Sequence, residues 1–82
     1  MTRDEIRQRL AELVAESSDG DIPAERALHT GTPLSALGLT SLSRMRLIDA
    51  VESEYDVELD LDERNWKLLD DLSALAAHLE NR

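Results

Sequence analysis

The sequence contains no cysteine and no phenylalanine, and its aromatic residues are one tyrosine and one tryptophan. Without cysteine there can be no disulfide framework, no thiolate metal site and no cysteine nucleophile. Two aromatic residues cannot form the stacking platform that binds single-stranded nucleic acid. Tyr55 and Trp66 are therefore expected to fill the core at helix ends.

Basic residues are scarce as well, with 9 Lys and Arg against 18 Asp and Glu, a net charge of −9. Residues 1–40 carry 7 acids and 4 bases, and residues 41–82 carry 11 acids and 5 bases, so most of the excess lies downstream of residue 40. Such a chain lacks the basic face that nucleic-acid binding needs. The charge favours partners with basic surfaces, although acidic surfaces also simply keep small proteins soluble.

No apolar run is long enough to span a membrane, and the N-terminal "MTRDEIRQRL" has no apolar signal core. The 82 residues are enough for one small domain, predicted to span residues 1–82. A cytoplasmic protein is expected, and the initial Met suggests a free-standing chain.

The apolar content is dominated by leucine, with 15 Leu against three Ile and three Val, which favours an all-α fold. Three longer helices are predicted, over residues 2–17, 41–55 and about 69–79. The first has a capping box in Thr2 and Glu5. The predicted inward stripes are Ile6, Leu10, Leu13 and Val14; Leu42, Met45, Leu47, Ile48 and Val51; and Leu72, Leu75, Ala76 and Leu79. Outside the second stripe lie Arg44, Arg46, Asp49, Glu52 and Glu54.

Two connections separate these helices. Residues 17–38 form a long first loop, with a possible helical turn at 23–28 and four apolar residues that tether it: Ile22, Leu28, Leu34 and Leu37. After Tyr55 an extended connector and a short third helix are predicted. The alternation of Val57, Leu59 and Leu61 with acids would also fit a strand, but a single strand has no partner here.

Little in the chain points to metal binding or catalysis. The acidic run "DLDERNWKLLDD" lacks the central glycine and terminal glutamate of a calcium loop. His29 and His78 stand alone, so surface positions are expected for both. A triad of Ser41, His29 and an acid has no supporting Gly-x-Ser-x-Gly elbow. We expect no enzyme, and a small metal-binding protein is a weaker alternative.

The pair Thr40-Ser41 begins the second longer helix. Gly38 permits a tight entry, and the Thr40 hydroxyl can cap the helix by accepting from the Ser43 N–H. Ser41 is then the first helical residue, near the positive end of the helix dipole, where a phosphate ester would be well placed. From these residues alone, an ordinary helix start is the simpler explanation.

The stretch "LSALGLTSLSRMRLIDAVESEYDVELD" resembles the acyl carrier and peptidyl carrier protein family. Residues 37–42 align without a gap to the family signature Leu-Gly-x-Asp-Ser-Leu, and the similarity includes "TPLSALG" and "LLDDLSALAAHL". The resemblance implies a four-helix bundle of acyl-carrier type, with three longer helices, a short third helix and a long first loop.

The resemblance also implies a function. Ser41 would carry 4′-phosphopantetheine, donated from coenzyme A by a phosphopantetheinyl transferase, with Gly38, Thr40 and Leu42 around the attachment point. The arm's thiol would hold an acyl or aminoacyl group, loaded by one enzyme and passed to downstream synthase or tailoring enzymes. A monomer is expected. The alternative is a carrier fold that is no longer modified and serves as an interaction module.

Several positions depart from the family pattern or carry further predictions. Thr40 replaces the family Asp, and Arg44 and Arg46 lie early on a helix that the family uses for docking. This favours a specialised carrier of polyketide or nonribosomal-peptide pathways, although the Gly-Gly-x-Ser of many peptidyl carriers is absent. Leu68 replaces a capping Thr, which predicts a less well capped start of the last helix, partly compensated by Asp70 and Asp71 at its positive N-terminal end. The predicted docking residues are Leu42, Arg44, Met45, Arg46, Asp49, Glu52 and Glu54. By resemblance, a groove between the second helix and the short third helix would shelter an acyl chain, with Ile48, Val57, Leu61 and Trp66 as candidate lining residues; for each of the four, plain core packing is the simpler expectation.

Overall fold

The computed structural model describes residues 2–29, 33–59 and 67–80. These ranges contain helices α1 (Arg3–Ser17), α2 (Ala24–His29), α3 (Ser41–Tyr55) and α4 (Leu72–Glu80), with a 3-10 turn at Leu34–Leu37. No strand occurs within them. The predicted all-α bundle with three longer helices is confirmed. The predicted short third helix falls mostly on residues 60–66, outside the described residues.

The limits of α1 follow from local chemistry. Thr2 Oγ1 accepts from the Glu5 N–H at 3.2 Å and the Thr2 N–H donates to Glu5 Oε1 at 3.3 Å, so the predicted capping box is confirmed. After Ser17 the backbone turns through positive φ at Asp19 (55°) and Gly20 (85°). The Gly20 N–H donates to the Ala15 carbonyl at 2.8 Å, which satisfies a carbonyl of the last turn.

Ion pairs between helices fix their directions. Arg9 of α1 binds Glu54 near the end of α3 at 2.6 Å, and Arg46 near the start of α3 binds Asp19 beyond the end of α1 at 3.1 Å. Arg3 binds Glu80 at 3.0 Å. α1 is therefore antiparallel to both α3 and α4. The start of α3 lies at the opposite end of the bundle from Arg3 and Glu80.

The core is built mainly from leucines of α1, α3 and α4. The predicted stripes of α1 and α4 are confirmed, because all eight residues are buried: Ile6, Leu10, Leu13, Val14, Leu72, Leu75, Ala76 and Leu79. Of the four predicted tethers in the first loop, Ile22 and Leu34 are fully buried, whereas Leu28 and Leu37 are partly buried against the core. α2 confirms the helical turn that was predicted for this loop.

The predicted stripe of α3 is wrong in its first half. Leu42 and Met45 are 62% and 52% exposed. The buried residues of α3 are Arg44, Leu47, Ile48, Val51 and Tyr55. Positions spaced by three drift around a helix by roughly 60° per step, so a series of four covers about half of the circumference. A single face needs alternating spacings of three and four, as in 44, 47, 48, 51 and 55.

The last helix begins later than predicted, at Leu72 rather than Leu69. The Asp71 Oδ1 accepts from the Ser73 N–H at 2.9 Å and the Ala74 N–H at 3.3 Å, as a capping side chain does. The compensation predicted for Asp71 is therefore confirmed, whereas the Asp70 carboxylate binds Ser35 and Arg44 instead. No helix in the described ranges is long and apolar enough to cross a membrane.

Candidate functional site

The start of α3 has the geometry predicted from the sequence. Thr40 is extended (φ −74°, ψ 166°), and its Oγ1 accepts from the Ser43 N–H at 3.1 Å, which confirms the cap. The Thr40 hydroxyl also donates to Ser43 Oγ at 3.1 Å. Ser41 is the first residue of the helix, and it is exposed to solvent. Its hydroxyl is therefore accessible at the end of the bundle.

The chain reaches this helix through a tight turn. Gly38 ends the 3-10 turn in the left-handed conformation, with φ 104° and ψ 15°. A Cβ on Gly38 would meet no atom within 4 Å, so the backbone angle rather than space favours glycine. Leu39 is buried, and its N–H donates to the Leu34 carbonyl at 3.3 Å. The segment before Ser41 is thus anchored in the core.

The electrostatic environment of Ser41 suits an anion. No acidic residue lies in the first turn of α3, whereas the helix dipole gives this end a partial positive charge. A negative group on Ser41 Oγ would therefore meet backbone N–H groups and no carboxylate from the same turn.

A shallow hollow of about 370 Å³ lies along α3 and begins at Leu42, the residue after Ser41. It is lined by Leu42, Met45, Arg46, Ile48, Asp49, Glu52 and Leu59. Five of the predicted docking residues therefore share one surface with Ile48, a predicted groove residue. Val57 is instead partly buried against the core. Leu61 and Trp66 lie outside the described residues.

Leu59 was missed as a groove residue by the sequence reasoning. The backbone turns at Asp56 in the left-handed conformation (φ 53°, ψ 50°), and Glu52 Oε2 accepts from the Leu59 N–H at 2.8 Å. This bond folds the segment after α3 back towards the helix, and Leu59 becomes buried. The alternation of Leu59 with acids was the available signal. Glu52, a predicted docking residue, therefore also fixes one side of the hollow.

Arg44 departs from its predicted position outside the buried stripe, because it is only 8% exposed. Its Nη2 donates to Asp70 Oδ1 at 3.1 Å. The same carboxylate accepts from Ser35, at 3.1 Å from the N–H and 3.1 Å from the hydroxyl. Sequence reasoning gave Asp70 only a role at the last helix. Because it lies 26 residues from Arg44, no local pattern could reveal the pair.

Within the described ranges, no group of three or more His, Asp or Glu side chains could hold a metal ion. His29 and His78 are both exposed, as predicted. Most of the acidic run at 60–71 lies outside the described residues, so the prediction that it binds no calcium stays a prediction.

Comparison with known protein families found one match over nearly the whole chain. The family described as the phosphopantetheine attachment site matches residues 4–79. No curated protein matched the chain, and no solved structure did so. The family's cofactor is covalent 4′-phosphopantetheine, and an exposed hydroxyl at an acid-free helix start fits its phosphate. The all-helical bundle agrees with this match, and the chain belongs to the phosphopantetheine-binding family of acyl and peptidyl carrier proteins.

Proposed function

We propose that this chain carries an acyl or aminoacyl group as a thioester on a phosphopantetheine arm attached to Ser41, and delivers it to partner enzymes. The observation that carries the proposal is the exposed Ser41 hydroxyl at the start of α3, within a chain that matches the carrier family. The chain itself catalyses no reaction in this proposal. When bound, the arm supplies the thiol that a cysteine-free chain lacks.

The residues around Ser41 each support attachment in a different way. Thr40 holds the first turn of α3 through its bond to the Ser43 N–H. Gly38 allows the turn that brings the chain to the helix from the buried Leu39. The backbone N–H groups of the first turn offset the negative charge of the phosphate ester.

The proposed docking surface comprises Leu42, Met45, Arg46, Asp49 and Glu52, which line the hollow. Arg44 is left out because its side chain is buried, and Glu54 is left out because it does not line the hollow and both its carboxylate oxygens accept from Arg9. The exposed Leu42 and Met45 provide apolar area next to Ser41, as the centre of a protein interface requires. The partners would be a phosphopantetheinyl transferase, an acyl- or aminoacyl-loading enzyme, and downstream synthase or tailoring enzymes.

The hollow itself is proposed to shelter the first part of a bound acyl chain. Ile48 and Leu59 form its apolar floor, and Arg46, Asp49 and Glu52 surround it. We place the protein in polyketide or nonribosomal-peptide biosynthesis, since Thr40 and the basic Arg46 depart from the acidic pattern of fatty-acid carriers. A cytoplasmic monomer formed by a single domain over residues 1–82 completes the proposal.

Intact-mass spectrometry tests the attachment site. The protein is incubated with coenzyme A and a broad-specificity phosphopantetheinyl transferase, beside Ser41→Ala and the matched control Ser43→Ala. We expect wild type and Ser43→Ala to gain one phosphopantetheinyl group and Ser41→Ala to gain none. A gain by Ser41→Ala would move the attachment to another residue.

The alternative, an unmodified carrier fold that only binds partners, is favoured by Thr40 in place of the family Asp. Thr40→Asp keeps a capping oxygen and adds the family's charge. If wild type stays unmodified and Thr40→Asp gains the group, the transferase requires the acid. If neither gains it, the interaction module is the better account.

A further inference from the structure

The ion pair of Arg44 and Asp70 lies at the end of the bundle that holds Ser41. Asp70 Oδ1 accepts from Arg44 Nη2 and from the Ser35 N–H, and Oδ2 accepts from Ser35 Oγ, each at 3.1 Å. The backbone carbonyl of Asp70 also accepts from the Leu34 N–H at 3.2 Å. One residue therefore joins the 3-10 turn, α3 and the segment before α4.

This pair differs from the other long-range ion pairs of the described residues in the burial of its arginine. The Arg44 side chain is 10% exposed, whereas those of Arg9, Arg46 and Arg3 are 34%, 49% and 54% exposed; the Asp70 side chain, at 28%, is close to that of Glu54 at 31%. Exposed pairs contribute little to stability. A buried pair costs desolvation, and its best-supported benefit is to fix one arrangement of the elements it joins.

The arrangement fixed here includes the approach to Ser41. Ser35 is held by Asp70, and the buried Leu39 is held by its bond to Leu34. Arg44 lies three residues beyond Ser41, about one helical turn, and binds the same carboxylate. Asp70 therefore links the segment before Ser41, which it binds at Ser35, to the first turn of α3 after Ser41, which it binds at Arg44.

We propose that Asp70, together with Arg44, is a positioning residue for the modification of Ser41, an inference that rests on the proposed function. In that reaction Ser41 Oγ forms a bond to the phosphorus of coenzyme A that bears pantetheine. The bond to the leaving adenosine 3′,5′-bisphosphate breaks, and the hydroxyl proton goes to a base of the transferase. Such a displacement is sensitive to small misplacements of the attacking oxygen, so a loosened segment lowers the rate.

Steady-state kinetics of loading test the proposal, with the carrier as the varied substrate. Asp70→Asn is compared with Glu54→Gln, which removes the same charge from an ion pair at the other end of α3. We expect kcat for Asp70→Asn to fall about tenfold with little change in KM. Glu54→Gln should stay within about twofold of wild type, since its pair lies far from Ser41.

Further variants separate positioning from general destabilisation. Arg44→Gln should slow loading less than Asp70→Asn, because Asp70 also binds Ser35, and the loss in the double variant should be smaller than the product of the two single losses, because the shared ion pair is lost only once. Arg44→Lys, which keeps the cation, should recover part of the rate. Ser35→Ala removes only the hydrogen bond from the Ser35 hydroxyl to Asp70 and should lower kcat about twofold to threefold. This milder variant still tests the proposal if Asp70→Asn folds poorly. A folded Asp70→Asn protein that loads as fast as Glu54→Gln overturns the proposal.

Amide hydrogen exchange keeps this inference distinguishable from the proposed function. If neither wild type nor Thr40→Asp gains phosphopantetheine, the proposed function is overturned, and a positioning role in that reaction falls with it. The exchange rates of the Ser35 and Leu39 amides then decide whether Asp70 holds the segment at all. We expect at least tenfold faster exchange in Asp70→Asn but not in Glu54→Gln; equal rates would show that Asp70 does not fix it.

Discussion

Helices α1 and α3 begin almost identically and differ in the residues of the first turn after the cap. Both have 15 residues and an extended Thr at the N-cap, with φ and ψ of −77° and 163° at Thr2 and −74° and 166° at Thr40. Each Thr hydroxyl accepts from the N–H three residues on, at 3.2 Å and 3.1 Å. That third residue is Glu5 in α1 and Ser43 in α3, and only α1 has acids in its first turn.

The difference shows how one helix start can be used in two ways. In α1 the protein's own carboxylate occupies the positive end, and hydrogen bonds from the Thr2 backbone and side chain lower the pKa of Glu5. In α3 no carboxylate of the first turn occupies that end, and an exposed hydroxyl stands there. The start of α1 is completed by the chain, whereas the start of α3 is suited to an added anion.

The largest effect should come from damaging the core that the two helices share. Val51 of α3 is fully buried, so Val51→Asp would place an unpaired charge in a thin core and should unfold the protein, at a cost of several kcal/mol. Ser53→Asp adds the same charge at an exposed position in the last turn of the same helix, where the dipole disfavours it, and should cost at most about 1 kcal/mol. Circular dichroism measures both, and a normal helical melt for Val51→Asp would contradict the buried position.

The next effect tests the interactions that hold the start of α3. Arg44→Glu breaks a largely buried pair and faces Asp70 with a second carboxylate, so a loss of about 3–5 kcal/mol is expected. Arg46→Glu breaks an exposed pair and should cost about 0–1 kcal/mol while altering the loading rate. Urea unfolding and loading kinetics on both variants separate the roles. Equal stability losses would show that burial of the pair does not matter.

A smaller effect is expected from giving α3 the capping box of α1. Ser43→Glu reproduces the spacing of Thr2 and Glu5 at Thr40 and should stabilise the protein by about 0.3–1 kcal/mol. After Ser41 is modified, the gain should shrink because the phosphate competes for the same helix end. Thermal melts of the unmodified and the modified protein measure this gain in stability, with Ser53→Glu as the control variant. A gain of the same size in both forms would place the phosphate away from the helix end.

The smallest effect concerns the ion pair that joins α1 to the end of α3. Two hydrogen bonds from Arg9 lower the pKa of Glu54 below 4.5, its ordinary value. A carboxylate whose pKa is lowered in the folded protein stabilises the fold at pH values above its ordinary pKa. That stabilisation is lost as the pH falls through the lowered pKa. The Tm difference between wild type and Glu54→Gln should therefore be at most a few degrees at pH 7 and vanish at low pH. A constant difference down to pH 2 would exclude the ion pair as its cause.

Sequence reasoning succeeded wherever the governing interaction is local. The Thr2 and Thr40 caps each depend on a partner three residues away, and the stripes of α1 and α4 depend on spacing alone. The same locality explains why residues 41–55 were assigned correctly as a helix. The exposed Ser41 likewise follows from its position at the first turn.

The failures involve long-range interactions or an ambiguous period. Spacings of three around α3 did not reveal that Leu42 and Met45 face solvent, because the buried face depends on where α1 packs. The burial of Arg44 required Asp70, 26 residues away. Each error concerns which face or partner is used, and none concerns the type of element.

The pairing of Arg3 with Glu80 has a consequence for handling the molecule. It joins the first turn of α1 to the last turn of α4 at the pole opposite Ser41, through Arg3 Nη2 and Glu80 Oε1 at 3.0 Å. α1 alone, at 1.5 Å per residue, separates the two poles by roughly 20 Å. A tag, a surface anchor or a fused neighbour joined directly to the start of α1 or the end of α4 would therefore leave the Ser41 hydroxyl on the outward-facing side. A short link between these two helix ends, with new ends opened elsewhere, would make a practical permutation of this fold.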